Sequence, residues 1–552
     1  MSVLQHIFKE EPGPAAGNGR LTLFYLLIIL LAGIKQVYGL QHYLDITFFD
    51  ETEYLYKGVH LSKEQLNDWG PAYNVWYYIL SFINKNPVEL FYINYAALVV
   101  LIPILIFIFL ISYGVSKSMA GMMSLSFMMM KLHTANFTYV SHFCLITMLA
   151  GFIAASRTRN NEIKAVYLLI ASYICLYARQ EFLVIFLGIL ILWMIAIFRK
   201  RKITISVAYL IFIAAAGILY AIFGFITFKG QGIDRSYFAF IQHFYQNYAF
   251  WTKTKLTLDE FNQLDLFSGA TTMAQCLMNN PLLFLKHMTT NALNYLLNII
   301  LYVEDFLLPP PFFHYFGKLK HILFLLLISG ITYYSIKKKR WTNVTAFFRT
   351  YSFTTLMILI FFGWSFFSII MVFPNRHYIV IQYIWYMLLL GLLLKDNFPQ
   401  KTNAVTWLLL AGVVAIMMPT SGNIGYFSYD QQDARLQPNL KTIQYLIRHN
   451  TQQSTVLFSS EKGFYAYLPT NYKEYFLEQE DVKPYITNGK IDILRFFNDK
   501  QIDVIYMNEK MQHLFEITLG EDGQTLLNEP EKMGFKKVII QQGLKAYLLT
   551  KN

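Results

Sequence analysis

Long apolar runs separated by short polar stretches fill the first 420 or so residues of this 552-residue chain. A helix needs about 20 mostly apolar residues to cross the hydrocarbon core of a bilayer. About eleven runs read as spans, near 21–40, 90–112, 118–132, 137–156, 164–179, 181–198, 203–228, 319–336, 351–373, 377–394 and 404–420. The first lacks a small-residue cleavage site and ends in Gly39-Leu40-Gln41-His42, so it reads as a retained anchor. Residues 236–251 and 281–308 are amphipathic and rich in Tyr, Trp and Phe, as helices lying along the interface are. Counting 291–308 as a further span would invert the sign of the basic clusters on either side of it.

From about residue 421 the pattern changes. Short strand-like runs at 455–459, 502–507, 537–540 and 545–549 alternate with helical patterns at 439–449, 490–499 and 508–518. Gln541-Gln542-Gly543, between two of those runs, reads as a hairpin turn. The expected architecture is a polytopic α-helical membrane protein: residues 1–420 form the membrane module and 421–552 a small α/β domain.

Composition narrows the class further. The chain is 55% hydrophobic and 14% charged, with mean hydropathy +0.38, whereas soluble domains carry about 25% charged residues. A soluble fold, a disordered chain, a coiled coil and a disulfide scaffold are all excluded. Cys144, Cys175 and Cys276 show no CxxC or ligand spacing and read as packing residues. The net charge of +12 sits in clusters beside apolar runs, so it points to the membrane rather than to nucleic acid.

Those clusters set the expected orientation, because short cytoplasmic loops collect Lys and Arg. With Lys9 and Arg20 inside, every second loop should be basic. Lys117, then Arg157, Arg159 and Lys164, then 199–202, then 337–340 with Arg349, and finally Lys395 and Lys401 all satisfy this. Loops 41–89 and 229–318 and the domain from 421 then face the periplasm or exterior, in the inner (plasma) membrane of a cell.

Candidate chemistry gathers in that first outer loop. Asp45, Asp50, Glu51 and Glu53 lie within nine residues, just past a span. A helix beginning near Asp50 would place Asp50, Glu53, Tyr54 and Lys57 on one face. The same acids suit a helix N-terminus, with Asp50 as cap. Capping needs only one carboxylate, and several held at a membrane surface suit general-base work on an acceptor hydroxyl. The aromatic run 69–78 fits a sugar or head-group partner, or an interfacial belt. Arg179 and Arg376 sit at span ends, beside Glu181 and His377, where a guanidinium suits a phosphate and also suits snorkelling to head groups. His142 lies deeper, as substrate contact or helix-packing partner; Lys131 and His133 are weaker candidates.

An N-terminal span followed by Asp50-Glu51-x-x-Tyr54, then Gly70-Pro71-x-Tyr73, then Arg179-Gln180-Glu181, then Arg376-His377-Tyr378 resembles the GT-C glycosyltransferases. The branch concerned holds protein O-mannosyltransferases and bacterial aminoarabinose lipid A transferases. The resemblance implies an inverting transfer of sugar from a polyprenyl-phosphate carrier to a hydroxyl or phosphate acceptor on lipid, glycan or protein. It implies Asp50 as the base that deprotonates the acceptor, with Glu51 beside it as the second catalytic residue. Glu53, Tyr54, Tyr73, Arg179, Glu181, Arg376, His377, Tyr378 and His142 would contact substrate. Gly70 and His142 stand where the aminoarabinose branch usually has lysine and aspartate, which argues against that sugar but not the reaction class. Asp50, Glu51 and Glu53 with His133 have the chemistry for a divalent cation, but the mechanism requires none, so no cofactor or essential metal is expected. The rival classes are a transporter or flippase, which should show paired halves, a polysaccharide polymerase or ligase, and an envelope assembly protein.

Overall fold

The computed structural model describes residues 11, 19–48, 50–61, 70–134, 139–200, 206–224, 229–230, 233–254, 261, 264–395, 404–421, 436–477, 481–487, 490–518 and 520–551. The chain divides into two compact units. One comprises Met1–Tyr38, Ser62–Trp76 and Tyr95–Thr420; the other comprises Gly39–Leu61, Tyr77–Asn94 and Ser421–Asn552. The boundary near 420 is the one where the sequence pattern changes. The second unit, however, also takes in two stretches that the pattern assigns to the membrane module.

The first unit is helical apart from one short antiparallel pair, Lys229–Gly230 with Ile233–Asp234. Among the described residues six helices are long and apolar enough to cross a bilayer: Gly19–His42, Pro87–Ser112, Phe182–Arg199, Lys318–Lys337, Ser352–Met371 and His377–Leu394. The protein is therefore membrane-embedded. The other five expected spans form helices that fall short of this standard. Three of them, Val140–Ser156, Val207–Phe223 and Val405–Met417, are apolar but shorter. The run 118–132 forms Lys117–Met128, of 12 residues, which at about 1.5 Å per residue covers little more than half of a roughly 30 Å core. The run 164–179 forms Asn161–Ala178, which begins with a buried Glu162 and Lys164.

Outward faces are apolar, as lipid requires. Lys318–Lys337 exposes Leu319, Ile322, Leu325 and Leu326. The amphipathic run 281–308 forms one helix, Pro281–Leu307, of 27 residues. It turns Leu293, Leu296, Leu297, Ile300 and Leu301 outward and buries His287, Asn291 and Glu304. Residues 236–251 form the helix Arg235–Thr252. Without a water-driven core, helices in membranes approach through small residues. A Cβ on Gly151 would stand 2.6 Å from that of Ala171, which is how Val140–Ser156 and Asn161–Ala178 pack so closely. The three cysteines are buried and free.

One end of this unit is tied by charge. Glu11 pairs with Lys164, both nearly inaccessible, and accepts hydrogen bonds from the Thr354 backbone N–H (2.8 Å) and hydroxyl (2.6 Å). Lys164, read in sequence as part of a loop cluster, is thus a buried ion-pair partner. Glu11 thus joins the start of Asn161–Ala178 to the start of Ser352–Met371.

In the second unit a five-stranded sheet is built from β1 (Thr455–Ser459), β2 (Tyr472–Phe476), β3 (Val504–Met507), β4 (Phe535–Val538) and β5 (Tyr547–Lys551), in the order β2-β1-β3-β5-β4. β1 runs parallel to β2 and β3, while β5 is antiparallel to β3 and β4. Helices Pro438–Arg448, Ile493–Lys500, Glu509–Thr518 and Gly520–Asn528 accompany it. Phe458, Phe496, Ile505, Met511, Phe515 and Leu549 form its core. The sheet carries the expected hairpin, although β4 and β5 are each displaced two residues from the apolar runs that suggested them. β2 and the helix Gly520–Asn528 are additions to the sequence reading.

Candidate functional site

The acidic motif begins a helix, Asp50–Val59, with Asp50, Glu51 and Glu53 all in its first turn. Carboxylates are favoured there by the unsatisfied N–H groups and the helix dipole. The four loop acids then separate into distinct environments.

Asp45 lies before the helix and is structural. Its carboxylate accepts the backbone N–H groups of Leu440 (2.9 Å) and Asn439 (3.1 Å), the exposed donors that open Pro438–Arg448, and that of Ile46 (2.9 Å). Burial outweighs these donors and pushes its carboxyl from 3.8 up to about 7.

Asp50 is exposed. Glu51 is buried, and one of its oxygens accepts from the Tyr77 hydroxyl and from Asn94 Nδ2 at 2.9 Å. Asn94 also reaches the Tyr77 oxygen at 2.9 Å, so the three side chains close a triangle. Glu53 pairs with Lys462 and lies 4.0 Å from Lys57. Tyr54 is buried. The face expected to carry Asp50, Glu53, Tyr54 and Lys57 is therefore not uniform: Asp50 is in the open, while Tyr54 and Lys57 are covered.

Tyr77 and Asn94 are functional candidates that the motifs do not contain. Tyr77 lies in the aromatic run read as a stacking surface. Asn94 is a lone amide in an apolar stretch, and such intramembrane polar groups ask for a partner.

The membrane unit holds a second cluster. Arg179 follows Ala178 at the end of a helix in extended conformation. Its guanidinium pairs with Glu181, donates to the Ser141 hydroxyl, and stacks over the Tyr378 ring with Cζ 4.3 Å from the centroid. The Glu181 carbonyl in turn accepts from Trp364 Nε1 at 2.8 Å. Ser141 and His142 stand in the first turn of Val140–Ser156. His377 and Tyr378 stand in the first turn of Arg376–Leu394.

Two helix N-termini, with their positive dipole ends, and one guanidinium thus meet, an arrangement suited to an anion. Arg179, His142 and His243 all lie near enough to His377 to act on it electrostatically. His142 is buried, its ring 6.3 Å from that of His133 and 5.8 Å from that of Tyr139. Tyr73 is buried too, with its ring 5.5 Å from Phe143. The Arg376 side chain lies outside the described residues.

Among the described residues no three His, Cys, Asp or Glu side chains gather as metal ligands would. Compared with protein families and with curated proteins, the chain finds no match in either.

Proposed function

We propose that the protein is an inverting glycosyltransferase of the GT-C type, moving a sugar from a polyprenyl-phosphate carrier to a hydroxyl or phosphate acceptor on lipid, glycan or protein. In this reading it resides in the inner (plasma) membrane with eleven spans, its N-terminus cytoplasmic and its C-terminal α/β unit outside. The acceptor oxygen attacks the anomeric carbon from the face opposite the phosphate. Its proton passes to a carboxylate of the Asp50-Glu51 pair. The bond from the anomeric carbon to the phosphate oxygen breaks, and the lipid phosphate departs with the electron pair. Because the phosphate is already a good leaving group, the protein's main task is to hold its charge, which is where preorganised cationic groups contribute most.

The observation that supports this best is the seat of Arg179 over Tyr378 at 4.3 Å. Two residues chosen from separate motifs are neighbours, and Ser141, in the first turn of a second helix, borders the guanidinium. The basic loops lie at the other ends of these helices, in keeping with an outer-face site.

Mass spectrometry of lipids and envelope glycoproteins from a deletion strain tests the proposal. One sugar should be missing, restored by the wild-type gene and not by Asp50→Ala. A glycan profile identical to that of the parent strain would overturn it, and accumulation of an untransported lipid inside the cell would favour a flippase.

A further inference from the structure

We infer that the loop after β1, residues 460–467, is a positioning device for the acidic helix Asp50–Val59, and that Lys462 is its chief positioning residue. The inference rests on the transferase reading for its meaning, since that reading gives the helix its task, but the geometry stands apart from it.

In open α/β sheets ligands gather beyond the carboxyl ends of parallel strands. Here the loop that leaves the carboxyl end of β1 holds a helix of the same chain. Lys462 pairs with Glu53, 409 residues away in sequence. Tyr465 sets its ring edge-on to Tyr56 at 4.8 Å, and burial beside the Glu53 charge pushes its phenol upward. The Thr52 and Tyr467 hydroxyls meet at 3.4 Å. Phe48, just before the helix, packs at 4.6 Å on Phe464. Gly463 admits that contact, because a Cβ there would stand 2.4 Å from the Phe48 ring.

The loop is itself braced from below. Glu474 of β2 accepts the N–H groups of Gly463 (3.1 Å) and Tyr465 (3.1 Å) and the Ser459 hydroxyl (2.9 Å). A half-buried carboxylate with several donors is a rigid anchor, since each lost bond leaves an uncompensated group. The C-terminal unit therefore sets the pitch and rotation of the helix that begins with Asp50 and Glu51. Glu53, which the motif offers as a substrate contact, is in this arrangement the tether.

The test uses the full chain in detergent, with hydrogen exchange read by mass spectrometry and sugar transfer assayed in parallel. Lys462→Met should speed amide exchange across 50–59 by about two- to fivefold, as loss of a half-exposed ion pair permits. Exchange across 493–500 should stay at the wild-type rate, and Lys462→Arg should restore the protection. Gly463→Ala should act in the same direction by pushing Phe48 away. In the transfer assay Lys462→Met should lower kcat with an unchanged KM for the lipid donor, and Lys462→Arg should recover it. Exchange at 50–59 that does not respond to Lys462→Met overturns the inference, as does an unchanged kcat in an active enzyme. A wild-type chain without transferase activity overturns the functional reading alone, and the exchange result still decides the placement.

Discussion

The guanidinium of Arg179 lies 4.3 Å above the ring of Tyr378, although 199 residues separate them. The stack fixes the plane of the guanidinium, and Glu181 and Ser141 then fix its rotation. A group held on three sides is preorganised, so it can meet an anion without reorganising.

That geometry makes Arg179 sensitive to conservative change. Arg179→Lys keeps the charge but loses the planar fork and the stack, so transfer should fall nearly as far as in Arg179→Ala, by about 100-fold. Tyr378→Phe retains the π face and should stay close to wild type. Tyr378→Leu should lose about 0.5–2 kcal/mol of cation–π interaction, seen as a several-fold drop in kcat/KM. Equal activity of the Phe and Leu variants would show that the stack contributes nothing.

The Glu51–Tyr77–Asn94 triangle separates the two acids of the loop motif. Asp50 is exposed and Glu51 is buried with two donors on one oxygen. Asp50→Asn should therefore lower transfer at a smaller cost in the thermal midpoint than a change at the triangle. Tyr77→Phe strips a donor from a buried carboxylate and should cost about 1–3 kcal/mol of stability, measured by thermal unfolding in detergent. If Asp50→Asn lowers the midpoint and Tyr77→Phe leaves it unchanged, the assignment of structural and chemical roles is reversed.

Much of this was legible in the sequence, and what was not has definite causes. Apolar runs report which segments leave water, so Pro87–Ser112 and Ser352–Met371 were found directly. They do not report where a helix stops: the run 118–132 ends its helix at Met128, and a separate short helix, Lys131–Thr134, follows. In the sheet, the apolar run 537–540 points to β4, but the strand is Phe535–Val538 with Phe535 buried and Ile539 exposed. β2 shows no apolar run, because Lys473 and Glu474 give it the look of a loop. Arg179 and Tyr378 belong to separate motifs, and their contact, like those of Glu51 with Asn94 and Glu53 with Lys462, comes from tertiary packing that no local spacing encodes.

Asp45 contributes an inverted response to pH. Burial raises its carboxyl from 3.8 to about 7. Between those values the folded chain keeps a proton that the unfolded chain releases, so this group's contribution to stability falls as pH rises through the window. Thermal midpoints of the wild type and of Asp45→Asn, recorded in parallel from pH 4.5 to 7.5, isolate that contribution, because the other titrating groups are common to both. Asn has no proton to lose and keeps an oxygen for the N–H groups of Ile46 and Leu440, so the wild-type midpoint should fall relative to the variant as pH rises. A wild-type midpoint that gains on the variant across the same range would show that the backbone donors, not burial, control this carboxyl.

A buried polar latch in the membrane unit is the remaining point at which a small change should reach the site. Asn247 Nδ2 donates to His287 Nδ1 (2.9 Å) and to Asn291 Oδ1 (2.8 Å). With Nδ1 accepting, His287 is neutral and its Nε2–H donates to the Val372 carbonyl at 3.0 Å. Asn291 Nδ2 supplies the Ile370 carbonyl at 2.8 Å and that of Val372 at 3.1 Å. Helices Arg235–Thr252 and Pro281–Leu307 are thereby fastened to the turn that leads into His377 and Tyr378. Asn291→Leu fills a similar volume but strands one N–H of Asn247 and the Ile370 carbonyl, and buried groups left unpaired cost about 1–3 kcal/mol each. The thermal midpoint should drop, and kcat should drop with it, because the turn that sets Tyr378 against Arg179 loses its hold. Combining Asn291→Leu with Tyr378→Leu should then lower kcat by less than the product of the two separate effects, since both act through one stack. Fully multiplicative losses would mean that the latch stabilises the membrane unit without steering the site.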